Sequence, residues 1–533
     1  MDSLFAVPLL SFPDFQAGAG YVARLPLANP AAAEEQIGQF LDSLLAAPPE
    51  QGDLLALLEE LRGPLALVAG EMGRRYHGKP LVLGEMEERA FQRVVLTWRK
   101  LRKAYARCLA GVKTVAGDAE AGRRLATLLQ RCLHCTGAVI LEHYRARREL
   151  PPGLWREFHA YYRAAETRGV ATIPVADGIT GEERTTDCTA AYGAVLLADL
   201  AGPYSRSVRD IDLIGRWAAL WAPLVRVLPL ADGGHRAHYV LEPDGDSGLH
   251  PADPASPPRA GARCLDTSSL ARQVKQVLEQ LRQKVPASRL GLGDEPSSHA
   301  RGLLEQLVRP WSQAGAARKF RRFAASGTAR VCVGFESIHF FVSGRPFEQP
   351  EVAKTYSRGE FNLLFSAREL AVPGQRPVIR SQDDYPADQW EVVNHSANGF
   401  RLARTSVGQK MGHGQLLALC PHDGERFLLA RASWLMQDRG GGLVAGVSVL
   451  PGLPTGVAVR VSGEPRDSGR PFVRGFVLSP VANVAEHGSI VLPLGTYQAS
   501  RIFDIYADGF WQVRLRNILE RGSDFERVSF ETV

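Results

Sequence analysis

The sequence of 533 residues lacks the features that mark disulfide-rich, membrane-spanning and secreted proteins. It holds only 7 cysteines, an odd number scattered along the chain, which predicts reduced thiols and a cytoplasmic protein rather than a disulfide framework. No stretch approaches the roughly 18 uninterrupted apolar residues of a membrane-spanning helix. The N-terminal apolar run has no basic segment before it, so no secretory signal peptide is predicted either.

The chain also carries only a small net charge. Lys and Arg number 63 and Asp and Glu number 57, so the formal net charge is +6. Residues 301–533 hold 28 basic and 22 acidic residues and therefore carry the whole excess. Spread so thinly, this charge does not predict binding to duplex DNA, although it permits a small anionic ligand. The 45% hydrophobic and 23% charged residues exclude wholesale disorder, collagen and a coiled-coil rod.

Residues 1–222 show the periodicity of helices. Apolar residues recur at spacings of three and four, as at Leu54, Leu57, Leu58 and Leu61. Breaks at Pro and Gly separate the helical stretches, and no sequence repeat of fixed period is present, so a helical bundle is predicted. The predicted helices cover 32–45, 52–70, 87–110, 119–148, 154–168, 185–200 and 208–220.

The rest of the chain changes character twice. Residues 223–314 mix short strands with two predicted helices, at 267–284 and 300–313. Residues 315–465 contain many short apolar runs separated by turns, among them VCVGF, HFFVSG and FLLARASWLM, which favours an antiparallel β-barrel. An irregular insertion is predicted within it at 345–389, and residues 466–533 form a further β-rich region. The predicted fold class is therefore multidomain α+β, with an N-terminal all-α helical bundle followed by β structure.

Two short motifs stand out at the start of the predicted barrel and within it. The first is RKFRR, whose four cations are Arg318, Lys319, Arg321 and Arg322. Alone, such a basic run is usually a solvated face. Guanidinium groups do, however, pair in a planar fork with phosphate oxygens or a guanine edge.

The second motif, NHSANG, lies in a predicted turn between two strands. Asn394 and Ser396 can fix such a turn through side-chain hydrogen bonds, and Asn398 adds a further amide. Gly399 allows the main chain to approach a neighbour closely. Alone, this pattern is commonly just a turn.

In this order, the two motifs resemble the RxxxR and (D/N)xSxxG motifs of the PilZ domain, the bacterial receptor for cyclic di-GMP. The following sequence is similar to that family too, because an Ala-x-Trp strand leads through a Gly-rich hairpin to a Gly-Val strand. The resemblance covers about 318–450 except the insertion. The chain departs from that family in the spacing of the motifs. In most PilZ domains they lie a few tens of residues apart, whereas Arg322 and Asn394 lie 72 residues apart.

The resemblance implies a site for cyclic di-GMP. Its primary residues would be Arg318, Arg322, Asn394, Ser396 and Gly399, with Lys319, Arg321 and Asn398 in secondary roles. It also implies a regulatory ligand rather than a cofactor, and no catalytic residue or metal ligand is nominated.

The predicted function is that of a non-enzymatic, cytoplasmic receptor that transmits ligand binding to an unidentified protein partner by domain reorientation. Two alternatives remain open from the sequence. The barrel can be a degenerate PilZ domain that serves as a scaffold without ligand, or the chain can bind single-stranded nucleic acid.

Overall fold

The structure is a computed structural model that describes residues 10–112, 118–179, 185–230, 239–252, 261–313, 322–350, 384–462, 472–481, 485, 487–507 and 509–533. The chain divides into two compact units. The first comprises Met1–Arg318 with Met436–Arg439, and the second comprises Lys319–Leu435 with Gly440–Val533.

The first unit is mainly helical. Its helices within the described residues are α1 (Phe15–Ala23), α2 (Pro30–Ala46), α3 (Gln51–Gly73), α4 (Glu85–Ala110), α5 (Ala119–Arg145), α6 (Leu154–Thr167), α7 (Cys188–Leu200), α8 (Val208–Trp221), α9 (Ser268–Arg282) and α10 (Ser297–Trp311). Short antiparallel pairs join β1 (Val175–Ala176) to β2 (Thr185–Thr186), β3 (Arg226–Pro229) to β6 (Arg263–Asp266), and β4 (Tyr239–Val240) to β5 (His250–Pro251).

Side-chain caps explain where several of these helices begin. The Asp118 carboxylate accepts hydrogen bonds from the main-chain N–H groups of Glu120 and Ala121, at 2.9 and 3.0 Å, in front of α5. Asp187 accepts from Ala190 N at 2.7 Å in front of α7. Each cap satisfies donors that the first turn of a helix leaves without an intrahelical partner. The helical unit predicted from periodicity is thereby confirmed, and α1 is an addition to it.

The second unit holds one helix among its described residues, α11 (Phe335–Ser343), and two β-barrels. The first barrel is built from β8 (Thr328–Val333), β9 (Asp388–Ser396), β10 (Gly399–Arg404), β11 (Leu416–Pro421), β12 (Leu428–Gln437) and β13 (Leu443–Val449), while the short β7 (Phe323–Ala324) extends β8 along β9. The strand order is β10-β13-β12-β11-β8-β9, and pairing of β9 with β10 closes the ring. The antiparallel barrel predicted from the sequence is confirmed.

The further β-rich region is a second, closed barrel. Its strands are β14 (Pro454–Val461), β15 (Val473–Leu478), β16 (Ser489–Pro493), β17 (Ile502–Tyr506), β18 (Phe510–Arg521) and β19 (Phe525–Thr532), in the order β14-β15-β16-β19-β18-β17. Its interior is an apolar cluster that includes Val459, Leu492, Phe503 and Leu515.

The two barrels share a hydrophobic core. One cluster combines residues of the first barrel, of α11 and of the second barrel: Cys332, Ile338, Leu416, Ala418, Cys420, Phe427, Leu429, Leu450, Phe476, Leu478, Val491 and Phe525. Strand β16 is buried on both faces as a result, because Val491 enters the shared cluster while its neighbours Ile490 and Leu492 fill the barrel interior.

One predicted strand is wrong. The run HFFVSG forms most of α11, which begins after Gly334 and ends at Gly344. Short apolar runs do not distinguish a strand from a buried helix by periodicity. The helix forms because Ile338 then reaches the core that the two barrels share.

Candidate functional site

The NHSANG motif is the hairpin that joins β9 to β10. Ser396 ends one strand, Gly399 begins the other, and the two residues are paired across the hairpin. The Ser396 hydroxyl donates to the Asn398 side-chain oxygen at 3.0 Å, and the main-chain oxygen of Asn398 accepts from Val449 N at 2.9 Å. The turn is therefore held both by its own side chains and by the end of β13.

Gly399 occupies a position where a side chain does not fit. It pairs with Ser448 of β13, and a Cβ atom built on it would run into the carbonyl oxygen of Val447. The glycine is required by this close approach of two main chains.

The end of the first motif lies against this hairpin. Strand β7 pairs with β9 so that Phe323 faces His395 and Ala324 faces Asn394. Arg322 directly precedes β7 and is exposed. If the antiparallel register is continued by one residue, Arg322 stands opposite Ser396. Long-range strand pairing thus brings together residues that are far apart in the sequence.

Several of the predicted site residues lie outside the described residues. These are Arg318, Lys319 and Arg321, together with 351–383 of the predicted insertion. Their roles stay predictions. Strand β9 begins at Asp388, inside the range predicted for the insertion.

Aromatic rings flank the motif hairpin, and the sequence alone did not single them out. The ring centroids of Phe323 and His395 are 5.8 Å apart, and those of His395 and Phe400 are 6.3 Å apart. Phe323 is 50% exposed. Exposed rings beside cationic groups form a surface on which a planar base can stack.

Arg401 is a second residue that sequence reasoning missed. It pairs with Asn394 on one side and with Gly446 on the other. Its guanidinium carbon lies 5.7 Å from the centroid of the Trp434 ring, within the range of a cation–π interaction. A Cβ atom at Gly446 would overlap the Trp434 indole. The Gly-Val strand and the Ala-x-Trp strand therefore fit together here, and that pattern was the available signal.

The other end of the hairpin is anchored by a buried ion pair. Arg404 pairs with Asp388 across β9 and β10 and lies 4.9 Å from the ring centroid of Trp390. Asp388 also accepts from Gln409 N at 2.8 Å. These contacts hold the side chains of Arg404 and Asp388 in place between β9 and β10. The hairpin is thus fixed at its base, while its turn is open to solvent.

Chemically, this arrangement can bind a ligand that carries anionic groups and planar rings. It offers an arginine, hydroxyl and amide groups, main-chain groups at a turn, and exposed rings. Within the described residues, no group of three or more His, Cys, Asp and Glu side chains is placed to hold a metal ion. No helix in that part of the chain is both long enough and apolar enough to cross a membrane.

Known proteins resemble the chain along most of its length. Three family models match successive segments: the N-terminal domain of the cyclic-di-GMP receptor FimW over 16–232, the middle PilZ domain of that receptor over 250–361, and the FimW C-terminal beta-barrel domain over 457–533. A curated relative, the cyclic-di-GMP receptor FimW of Pseudomonas aeruginosa, is 23% identical over 516 residues, covering 90% of this chain and 84% of that protein.

Proposed function

We propose that the chain, whose residues 250–361 match the middle PilZ domain of the receptor FimW, is a non-enzymatic, cytoplasmic receptor for cyclic di-GMP. The observation that carries the proposal is the pairing of β7 with β9, because it sets the end of the RxxxR motif beside the NxSxxG hairpin. The relative that matches most of the chain is itself named a cyclic-di-GMP receptor. The unpaired state of all seven cysteines is compatible with a reducing compartment.

The ligand has two phosphates and two guanines, and the proposed site offers a partner for each kind of group. Arg322 and Arg318 would pair with phosphate oxygens or with a guanine edge through their guanidinium forks. Asn394, Ser396 and Asn398 would offer hydrogen bonds at the turn, and the exposed Phe323 ring would stack on a base. Lys319 and Arg321 would add cationic charge around the phosphates.

Calorimetric titration with cyclic di-GMP tests the binding site. We expect the unchanged protein to bind, and Arg318→Ala, Arg322→Ala and Ser396→Ala each to weaken binding about tenfold or more, since a charge-assisted hydrogen bond contributes roughly 1.5–3 kcal/mol. Arg501→Ala is the matched control, because Arg501 is an exposed arginine next to β17 of the second barrel and belongs to neither motif. We expect it to bind like the unchanged protein.

The outcomes of this titration separate the alternatives. Absence of binding by the unchanged protein would contradict the receptor and favour a degenerate PilZ scaffold. Equal weakening by Arg501→Ala would indicate diffuse electrostatic attraction rather than a site. Tighter, salt-dependent binding of single-stranded RNA than of cyclic di-GMP would favour the nucleic-acid alternative.

We further propose that the ligand biases the arrangement of the two compact units and thereby changes the surface offered to a protein partner. The support for this is that the division between the units falls between Arg318 and Lys319, inside the RxxxR motif. A ligand shifts such an equilibrium only through different affinities for the two arrangements.

Small-angle scattering of the full chain with and without saturating cyclic di-GMP tests this step. We expect a changed radius of gyration in the unchanged protein, and in Ser396→Ala the same change only at a ligand concentration about tenfold higher or more. Identical profiles for the unchanged protein with and without ligand would contradict the reorientation while leaving the binding result intact.

A further inference from the structure

The helical unit contains a cavity of about 560 Å³ that the proposed function does not use. It lies among α3, α4, α5, α7 and α8, with residues next to β1 and β2 at one side. This volume falls within the range of about 300–1,000 Å³ that is typical of small-molecule sites.

The cavity exists because its walls are made of small side chains. Eight alanines and three glycines are among the residues that line it. A Cβ atom added to Gly70 of α3 or to Gly215 of α8 would meet no atom within 4 Å. Elsewhere these helices bury large side chains, including Trp217 and Tyr105, in a close-packed core.

The charged side chains on the wall already neutralise one another. Glu142 accepts hydrogen bonds from Tyr76 Oη at 2.5 Å and Arg145 Nη1 at 2.7 Å, and it lies 2.9 Å from His77 Nε2. Arg145 Nε also donates to Asp212 at 2.8 Å. Burial tends to raise the pKa of Glu142, but Arg145 and the hydrogen bonds from His77 and Tyr76 outweigh it and lower that pKa to about 2.

The remaining charges on the wall are paired as well. Arg74 lies 2.9 Å from Glu71, and Asp177 lies 3.8 Å from Arg62. A charged ligand would therefore have to break an existing pair or lose its hydration without compensation. The wall favours an uncharged ligand.

Two further polar side chains, Gln130 and His134, line the wall. Gln130 is 2% exposed, and its Oε1 accepts from Arg131 Nη1 at 2.7 Å. The His134 ring packs edge-on against Trp98, with centroids 5.6 Å apart, and both side chains line the cavity. Burial lowers the pKa of His134 to about 3, so at neutral pH the ring offers one donor and one acceptor.

We propose that this cavity binds an uncharged, predominantly apolar small molecule that forms a hydrogen bond with His134. Such a ligand would cover the alanine and glycine walls and form a hydrogen bond with the imidazole of His134, which lines the cavity. The site is separate from the cyclic di-GMP motifs and gives the helical unit a ligand of its own.

Indole is a suitable probe, because it is uncharged, mainly apolar and carries one N–H donor. We expect calorimetry on the full chain to give a dissociation constant of about 1 mM or below, as is usual for a ligand of this size. Indole-3-acetate, which adds a carboxylate, is expected to bind at least tenfold more weakly. Absence of indole binding, or equal affinity for the two compounds, would overturn the proposal.

Filling the cavity locates the binding site. Gly215→Leu is expected to abolish indole binding without unfolding the chain, because leucine favours a helix more than glycine does and its Cβ meets no clash. Gly70→Leu fills the cavity from α3 and serves as the second variant. The control is Gly63→Leu, at a position of α3 that is equally open but does not line the cavity. Unchanged binding by both cavity variants, with circular dichroism showing them folded, would contradict the assignment.

The hydrogen bond to His134 is tested by 1-methylindole, which lacks the N–H donor. We expect the unchanged protein to prefer indole over 1-methylindole by about fivefold to tenfold. His134→Phe is expected to remove that preference while retaining binding of both compounds. A preference that persists in His134→Phe would place the hydrogen bond elsewhere and contradict the role of this histidine.

Discussion

The two barrels of the second unit have the same number of strands in the ring, but they close in different ways. The second barrel closes through the pairing of β14 with β17, two strands that are not consecutive in the sequence. The first closes through the β9–β10 hairpin, which is also the NxSxxG motif. In the first barrel, therefore, the candidate site and the closure of the ring depend on the same residues.

The difference indicates that the two barrels have different roles. One edge of β9 is shared between β7 and β8, and its exposed end carries the aromatic rings and the motif turn. The second barrel contributes apolar side chains such as Phe476 and Phe525 to the shared core and covers one face of the first. We infer that the second barrel supports the first structurally, while the first presents the ligand site.

The largest expected effect comes from breaking the shared core. Phe525→Ala removes a ring that is fully buried in that cluster, so a loss of about 3–5 kcal/mol in the free energy of unfolding is expected. Because the cluster includes both barrels, chemical denaturation should show them unfolding together at lower denaturant concentration. Two separate transitions, with only the second barrel shifted, would show that the barrels are independent.

A smaller effect is expected at the closure of the first barrel. Gly399→Ala forces a Cβ atom against the Val447 carbonyl, and a strain of this kind costs about 1–3 kcal/mol. Affinity for cyclic di-GMP should fall along with stability, because the turn and the ring closure are the same hairpin. Titration and thermal unfolding of one preparation measure both, and loss of stability with full affinity would refute this coupling.

Acidification is expected to weaken the junction at α11. Burial lowers the pKa of His339 from 6.5 to about 4, with Arg474 and Arg345 adding to the effect. The unfolded chain therefore binds more protons than the folded chain between these values, so stability falls as the pH falls below about 6.5. For one such histidine, the free energy of unfolding is expected to fall by about 1 kcal/mol between pH 6.5 and pH 5.5.

The comparison variant for this pH dependence is His339→Phe. Its free energy of unfolding should change less steeply with pH than that of the unchanged protein over the same interval. Equal slopes for the two proteins would assign the effect to other groups.

The smallest effect is expected on the solvent-facing side of the second barrel. Phe510 is 59% exposed and pairs with Tyr506 across β17 and β18. Phe510→Ala should change the free energy of unfolding by no more than about 0.5 kcal/mol, and it is the matched control for Phe525→Ala. A loss as large as that of Phe525→Ala would mean that this face is also covered.

The sequence predicted those elements whose structure depends on the spacing of residues close together in the chain. Spacing of apolar residues predicted α3 and α5 closely, because a helix buries one face whatever its neighbours are. The same reasoning failed at α11, where the run HFFVSG reads equally well as a strand. Its helical state depends on the core that Ile338 enters, and most residues of that core, from Leu416 to Phe525, are more than 70 positions away.

The candidate site likewise has features that the sequence predicts and features that it does not. The motif turn and the need for Gly399 could be predicted from residue types alone. The pairing of Phe323 with His395 and the support of Arg401 by Trp434 could not, because both depend on strand register across the barrel. The cavity of the helical unit was also hidden, since alanine and glycine in a helix ordinarily signal close packing rather than open space.

The shared core has a consequence for how the chain is made. A ribosome releases β11, with Leu416 and Ala418 on its outer face, well before the residues that cover them, such as Val491 and Phe525. During that interval the nascent chain exposes apolar side chains of the shared core, which are a target for chaperones and a hazard for aggregation. A premature stop after β13 would leave the motif hairpin intact in sequence but these side chains permanently bare, so quality control rather than loss of the motifs would remove such a product.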